Sequence, residues 1–455
     1  MDGDTVVALA TPPGESGIAV VRISGPDARG ILGAMAGGAG EWESHRIHLS
    51  RLRDSSGETM DRALAVIMDG PDSYTGEDVA EIYCHGSMHL TSRIIEEAIA
   101  LGARSAGRGE FTRRAYLNGK IDLVQAEAVA DLIASETDLQ GRIALAHLEG
   151  SLSGKVRDIE QSLLEQLALV EVSIDFSEEE IESWSRARLL EVAGRTREAI
   201  GRILDSELAG RKLRNGLRMT IVGPRNAGKS SLYNALVGEE RAIVSPVPGT
   251  TRDLLRERIH IGGFTYYLED TAGIAETECE IEAKGISMGM RAASEADIVM
   301  IVLDGSQKAR GGALDDLRKA EGARHLTVLN KKDLGLVEDA PAFAARTGEK
   351  DVIEVSALSG DGLDPLREKI FELTAARGLG GLHAERIAVN ARQGAALKEA
   401  ATALERLERL LADGGEAELV AVELRETIEA CGRVTGRSVS EDLLETIFST
   451  FCIGK

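Results

Sequence analysis

The rhythm of hydrophobic and polar positions changes several times along the chain. Up to about residue 118, short apolar runs of β character alternate with turn-rich stretches of Gly and Pro. These runs are Thr5 to Ala10, Gly17 to Ile23, Ala63 to Met68 and Val79 to Cys84. That alternation predicts a compact α+β domain. From Ile121 to about Ala209 the period becomes helical, with Val156, Ile159, Leu163, Leu167 and Val170 falling on one face at 3.6 residues per turn. Between Leu217 and about Leu373, strand-like runs alternate with helical ones: Met219 to Val222, Phe264 to Leu268, Ile298 to Leu303, Leu326 to Leu329 and Val352 to Val355. Such alternation predicts a mostly parallel sheet. After the break Gly378 to Gly381 the helical period returns through Leu397, Ala401, Leu404 and Leu411, then Leu424 and Ile428.

Two helical stretches thus flank an α/β segment. Neither can bury its apolar stripe alone, so each is expected to bury it against the other, with the α/β domain inserted between them in sequence. The expected organisation is an α+β domain over 1–118, a first helical part over 119–216, an α/β domain over 217–375 and a second helical part over 376–455. No internal repeat is evident.

Composition narrows the class. At 43% hydrophobic and 28% charged residues the chain reads as globular, and its longest apolar runs are far too short to span a bilayer. The start, Met1-Asp2-Gly3-Asp4, lacks a basic, apolar leader, so a cytoplasmic location and no membrane partner are expected. The formal charge of -22 argues against non-specific coating of nucleic acid, although basic residues cluster from Arg104 to Lys120 and from Arg211 to Arg218. Cys84, Cys279, Cys431 and Cys452 are scattered without metal or disulfide spacing.

The α/β segment carries the chemistry. Gly223-Pro224-Arg225-Asn226-Ala227-Gly228-Lys229-Ser230 follows an apolar strand and opens a helical run, the context a phosphate loop demands. Its glycines let backbone N–H groups turn toward a phosphate, Lys229 reaches the β/γ oxygens, and Ser230 can ligate Mg2+. Asp270-Thr271-Ala272-Gly273 closes a strand, placing a carboxylate near the Mg2+ shell and the Gly273 N–H near the γ-phosphate. Asn330-Lys331-Lys332-Asp333 and Ser356-Ala357-Leu358 each follow a strand and are expected to choose the base. Guanine offers two adjacent donors that the Asp333 carboxylate accepts together, and adenine lacks that pair. The ligand expected is GTP.

Hydrolysis needs an oriented water and positive charge near the β/γ bridge. The residue after the Asp-Thr-Ala-Gly loop is Ile274, whose side chain has no polar atom, while Asn226 can offer an oxygen to a monovalent cation. Asn226, Ile274 and the Val244 to Asp253 loop resemble those of potassium-activated, dimerisation-activated GTPases. The resemblance sharpens over the whole chain. Asp4 to Gly14, Val21-Arg22-Ile23-Ser24-Gly25, Ser73 to Val79, Gly109-Glu110-Phe111-Thr112 and the terminal Cys452-Ile453-Gly454-Lys455 closely resemble the MnmE (TrmE) family of tRNA modification GTPases.

That resemblance implies an N-terminal domain that dimerises and binds a tetrahydrofolate derivative through Arg22, Glu81 and Lys120, with Lys455 from the tail. It implies GTP contacts along Asn226 to Ser231, including Ala227, Gly228, Lys229, Ser230 and Ser231. Further GTP contacts would come from Ser245-Pro246-Val247-Pro248-Gly249-Thr250-Thr251 and from the loops already named. Potassium would be held by Asn226, Ser245, Val247 and Thr250, magnesium by Ser230 and Thr251, and the attacking water would be oriented by Glu282. Family members act with a flavin-dependent partner, MnmG, to add an aminomethyl-type group at C5 of the wobble uridine of certain tRNAs. The chain departs from the usual pattern at Pro224-Arg225 and at Ser87. Cys452 reads equally as a reactive or a structural thiol. Two other readings of the loops predict different companions: a ribosome-assembly GTPase would carry a basic RNA-binding appendage, and a GTP-gated scaffold would hydrolyse slowly in any salt.

Overall fold

A computed structural model describes residues 3–36, 42–175, 185–238, 256–270, 296–307, 324–376 and 387–455. They form two compact units. One comprises Met1–Ala130, His147–Ala193 and Thr402–Lys455, and the other Asp131–Ala146 with Gly194–Ala401.

In the first unit, β1 (Val6–Leu9), β2 (Ser16–Ser24), β3 (His48–Arg53), β4 (Thr59–Met68), β5 (Val79–Gly86) and β6 (Arg104–Ser105) form one sheet in the order β3-β4-β5-β2-β1-β6. All neighbours are antiparallel except β1 and β6. Period-two alternation sends Ala19, Val21, Ile23, Ala63, Ala65, Ile67, Ala80 and Ile82 to one face, where they are buried with Ile31, Leu32 and Ile94 of helices Ala28–Ala36 and Met88–Ala100. The opposite face carries Val20, Arg22, Leu64, Glu81 and Tyr83.

The helical part of this unit follows the predicted stripe. Val156, Ile159, Leu163, Leu167 and Val170 are all buried on helix Ser151–Asp175, which packs along helix Ala417–Thr435. Ion pairs Glu171–Arg425 at 2.6 Å and Glu160–Arg437 at 3.3 Å fix the two helices as antiparallel. Ser440 caps the following helix, Glu441–Ser449, whose Leu444 and Phe448 join Leu123, Ala126 and Phe451 in a small core ahead of the tail.

The second unit is built on β7 (Leu217–Val222), β8 (Arg256–Ile261), β9 (Phe264–Asp270), β10 (Ile298–Asp304), β11 (Arg324–Asn330) and β12 (Val352–Glu354), in the order β12-β11-β10-β7-β9-β8. Only β8 runs antiparallel. The expected strands all appear, and β8 adds an edge strand that its polar start, Arg256-Glu257-Arg258, concealed. Helices Lys229–Gly238 and Leu363–Ala375 bury Leu232, Leu236, Leu366 and Ile370 against the sheet. The same core takes Leu139 and Ile143 from helix Asp138–Leu148 and Ala209 and Leu213 from helix Glu207–Asn215. Among the described residues, no helix is long and apolar enough to cross a membrane.

Candidate functional site

Because β7, β9, β10, β11 and β12 are parallel, Val222, Asp270, Asp304, Asn330 and Glu354 end on one edge of the sheet, where open α/β folds bind ligands. The phosphate loop leaves β7 there and enters helix Lys229–Gly238. Its backbone needs left-handed geometry at Gly223 (φ 148°), Asn226 (φ 61°) and Gly228 (φ 90°). Close approach fixes the glycines as well. A Cβ on Gly223 would stand 2.1 Å from the Val302 carbonyl oxygen, and one on Gly228 would stand 2.1 Å from Asn330 Nδ2. Lys229 Nζ donates to the carbonyls of Gly223 and Pro224 at 3.0 and 2.9 Å. Ser230 and Ser231 lie exposed on the first helical turn.

Asn330 is buried and straps three loops together. Its Nδ2 donates to the Ala227 carbonyl at 2.9 Å, and its Oδ1 accepts from the Ala357 N–H at 3.0 Å. Asp333 is exposed and accepts from the buried Ser356 Oγ at 2.6 Å, which orients the carboxylate, while Leu358 is exposed beside it. Lys331 takes a positive φ of 66° and its Nζ pairs with Asp304 at 2.7 Å. Asp304 was not singled out in the sequence, although its place at the end of an apolar run, before Gly305-Ser306, marks it as a strand-end carboxylate. Desolvation pushes its pKa up, but hydrogen bonds from Lys331 and Ser306 more than offset this and hold the carboxyl below its ordinary value. Ser245 to Thr251, Thr271-Ala272-Gly273, Ile274, Cys279 and Glu282 lie outside the described residues.

On the N-terminal sheet, Arg22 and Glu81 are direct cross-strand neighbours, and Arg22 Nε donates to Glu81 Oε1 at 2.8 Å. The guanidinium lies over Tyr74 and Phe111, 5.3 and 5.6 Å from their ring centroids. Tyr83 donates to the second Glu81 oxygen at 2.6 Å; burial and this bond push its pKa up to about 12. Sequence reasoning missed Tyr74, Tyr83 and Phe111 because only the fold places the rings of Tyr74 and Phe111 over Arg22 and the Tyr83 hydroxyl on Glu81. The tail also reaches this region: the Lys455 main-chain oxygen accepts from the Phe111 N–H at 3.2 Å and the Cys452 carbonyl from the Gly109 N–H at 3.3 Å. Lys120 Nζ donates to the Pro71 carbonyl at 2.8 Å, at the start of the loop that carries Tyr74. Cys84 and Cys431 are buried, with burial raising their thiols to about 11 and about 12, whereas Cys452 is exposed.

Comparison with known proteins assigns both regions to one family. Residues 5–120 match the model of the GTP-binding protein TrmE N-terminus, and residues 123–452 match that of the MnmE helical domain. The tRNA modification GTPase MnmE of Geobacter sulfurreducens is 41% identical over 99% of this chain and 99% of its own length. The chain belongs to the MnmE family of tRNA modification GTPases. MnmE proteins of Symbiobacterium thermophilum (41% identical, 100% of each chain) and Aquifex aeolicus (39%, 99% of this chain and 100% of the other) are similar over the same span. As an MnmE family member the chain is a GTP-binding GTPase, with an N-terminal α+β domain, a helical domain and an inserted P-loop α/β domain.

Proposed function

We propose that this chain hydrolyses GTP to drive modification of the wobble uridine of certain tRNAs. Together with a flavin-dependent MnmG partner, it adds a carboxymethylaminomethyl or aminomethyl group at C5. The observation that carries the nucleotide half is Asn330, which joins the phosphate loop at Ala227 to the base loop at Ala357 through one buried side chain. A ligand with phosphates at one end and a donor-rich base at the other fits that spacing, and the free lone pairs of Asp333 suit guanine. Mg2+ would be held by the Ser230 hydroxyl and Thr251, and K+ by Asn226 with Ser245, Val247 and Thr250, as the family resemblance implies. These cations supply positive charge for the β/γ bridge. The protein's own part is to hold the phosphates on the N–H groups of Asn226 to Ser231 and the base on Asp333, and to orient the attacking water through Glu282.

The N-terminal site fits a tetrahydrofolate derivative. Glu81 keeps lone pairs beyond those used by Arg22 and Tyr83, enough to accept from a pterin's amino and ring N–H groups, while Arg22, Lys120 and Lys455 suit the glutamate carboxylates. A homodimer is supported by an apolar row along the sheet face opposite the helices, exposed at its β3–β4 end. Leu49 stands opposite Leu64, Leu64 opposite Tyr83 and Tyr83 opposite Val20, with Leu49 58% and Leu64 42% exposed. Hydrolysis then depends on closure of two GTPase domains upon each other, in the cytoplasm where tRNA is modified. The test is GTP turnover in matched potassium and sodium buffers. Stimulation of at least about tenfold by potassium, lost in Glu282→Ala, is expected, and equal turnover in both salts would overturn the cation-assisted mechanism.

A further inference from the structure

Strands β8 and β9 form a hairpin that connects, in sequence, the Val244 to Asp253 loop to the Asp270-Thr271-Ala272-Gly273 loop. Its turn, Gly262-Gly263, has φ of 58° and 84°, the left-handed pair a two-residue turn between right-twisted strands requires. That turn sits in a socket made by another part of the chain. Thr137 Oγ1 donates to the Gly263 carbonyl at 2.7 Å. Leu139, 5% exposed, lies so close that a Cβ on Gly263 would stand 2.8 Å from its own Cβ. Glu136 pairs with Arg258 on β8 and accepts from Thr265 on β9 at 3.5 Å. On the other side a Cβ on Gly262 would stand 2.1 Å from Phe371 Cδ2. The glycines are therefore fixed twice, by backbone conformation and by close contact.

The socket opens helix Asp138–Leu148, and the helix is itself anchored in the GTPase unit. Leu139 and Ile143, one turn apart, are buried in its core, and Gln140 Nε2 donates to the Leu213 carbonyl at 2.7 Å on the helix that leads into β7. One short segment, residues 136–143, thus grips both strands that lie between the Val244 to Asp253 and Asp270 to Gly273 loops, the two loops expected to switch with the nucleotide, and the helix that precedes the phosphate-loop strand. Exposed ion pairs such as Glu136–Arg258 contribute little, so the grip rests on Leu139 and the Thr137 hydrogen bond. A ladder continuous from Arg256↔Glu269 to Ile261↔Phe264 makes the hairpin a stiff rod, so a shift at its switch end is felt at its tip. Close packing around Leu139 leaves no slack to absorb it.

We propose that Thr137 and Leu139 are the coupling contact of this GTPase, passing the nucleotide state of the switch loops to helix Asp138–Leu148 through the tip of the β8–β9 hairpin. The inference rests on the GTP-binding reading of the phosphate loop. Hydrogen–deuterium exchange of the full chain with Mg2+ and potassium, comparing GDP with a non-hydrolysable GTP analogue, tests both separately. Amides of helix Asp138–Leu148 should change their exchange rate between nucleotides by at least about twofold. In Thr137→Val, which keeps the shape and removes the donor, that difference should shrink while the phosphate-loop difference remains; Leu139→Ala should behave alike. A responsive phosphate loop with an unresponsive helix in the wild-type chain overturns the coupling, as does an undiminished helix response in both variants. A phosphate loop indifferent to either nucleotide overturns the GTP site itself, and the inference with it.

Discussion

Asp333 and Glu160 show how differently one carboxylate can be read from sequence. Asp333 sits in a recognisable loop, and the fold adds that Ser356 fixes its orientation at 2.6 Å. Asp333→Asn replaces an acceptor oxygen by a donor, so GTP affinity should fall about tenfold to hundredfold while xanthosine triphosphate gains, as competition binding would measure. Unchanged GTP affinity would remove the base assignment. Glu160, by contrast, stood beside the predicted stripe with nothing to mark it. It is 2% exposed in the helical core, and burial raises its pKa against the opposing pull of Arg437 and Arg157. The folded state therefore binds this proton more tightly than the unfolded chain does. Its stability is highest below the ordinary Glu range and is lost as pH rises through the raised pKa. Glu160→Gln should melt above wild type at neutral pH, with the gap closing below about pH 4. A gap that widens as pH falls would contradict the sign. Asn330 lies between these cases, since its loop was legible and its buried strapping of Ala227 and Ala357 was not.

At the scale of elements, the long helical stripes and the fully apolar strands were legible because one periodicity held over many residues. Val156 to Val170 and Ile298 to Leu303 are buried as their patterns require. Strands β3 and β8 were not singled out. His48–Arg53 and Arg256–Ile261 place polar or charged residues on an exposed side, and pairing with β4 and β9 rather than local propensity makes them strands. The phosphate loop was read from its residues, whereas the reason for its glycines is tertiary. Gly223→Ala brings a Cβ within 2.1 Å of the Val302 carbonyl at a φ that side chains avoid. Binding of a fluorescent GTP analogue should weaken by more than about tenfold while the far-ultraviolet circular dichroism is retained. Wild-type affinity in that variant would mean the loop can relax without cost. Helix Asp138–Leu148 shows the limit of pattern reading, because its period announces a helix and its buried face points into the GTPase core.

At the scale of the whole molecule, two candidate sites occupy two compact units, and the family assignment spans both. The N-terminal runs and the Cys-Ile-Gly-Lys tail identified the family from sequence. The fold explains why they belong together: Lys455 bonds to Phe111, and Phe111 lies against Arg22. No local pattern predicts that meeting, since the tail and Phe111 are more than three hundred positions apart. An acidic chain that acts on tRNA must confine its basic contacts to patches, so its affinity for the nucleic acid should be strongly salt-dependent. What GTP hydrolysis accomplishes in the cell is read out by mass spectrometry of tRNA nucleosides from cells lacking this chain. The C5-modified wobble uridines should disappear, return with the wild-type chain, and fail to return with Lys229→Ala. A nucleoside profile unchanged by the deletion would rule out a role for this chain in wobble-uridine modification.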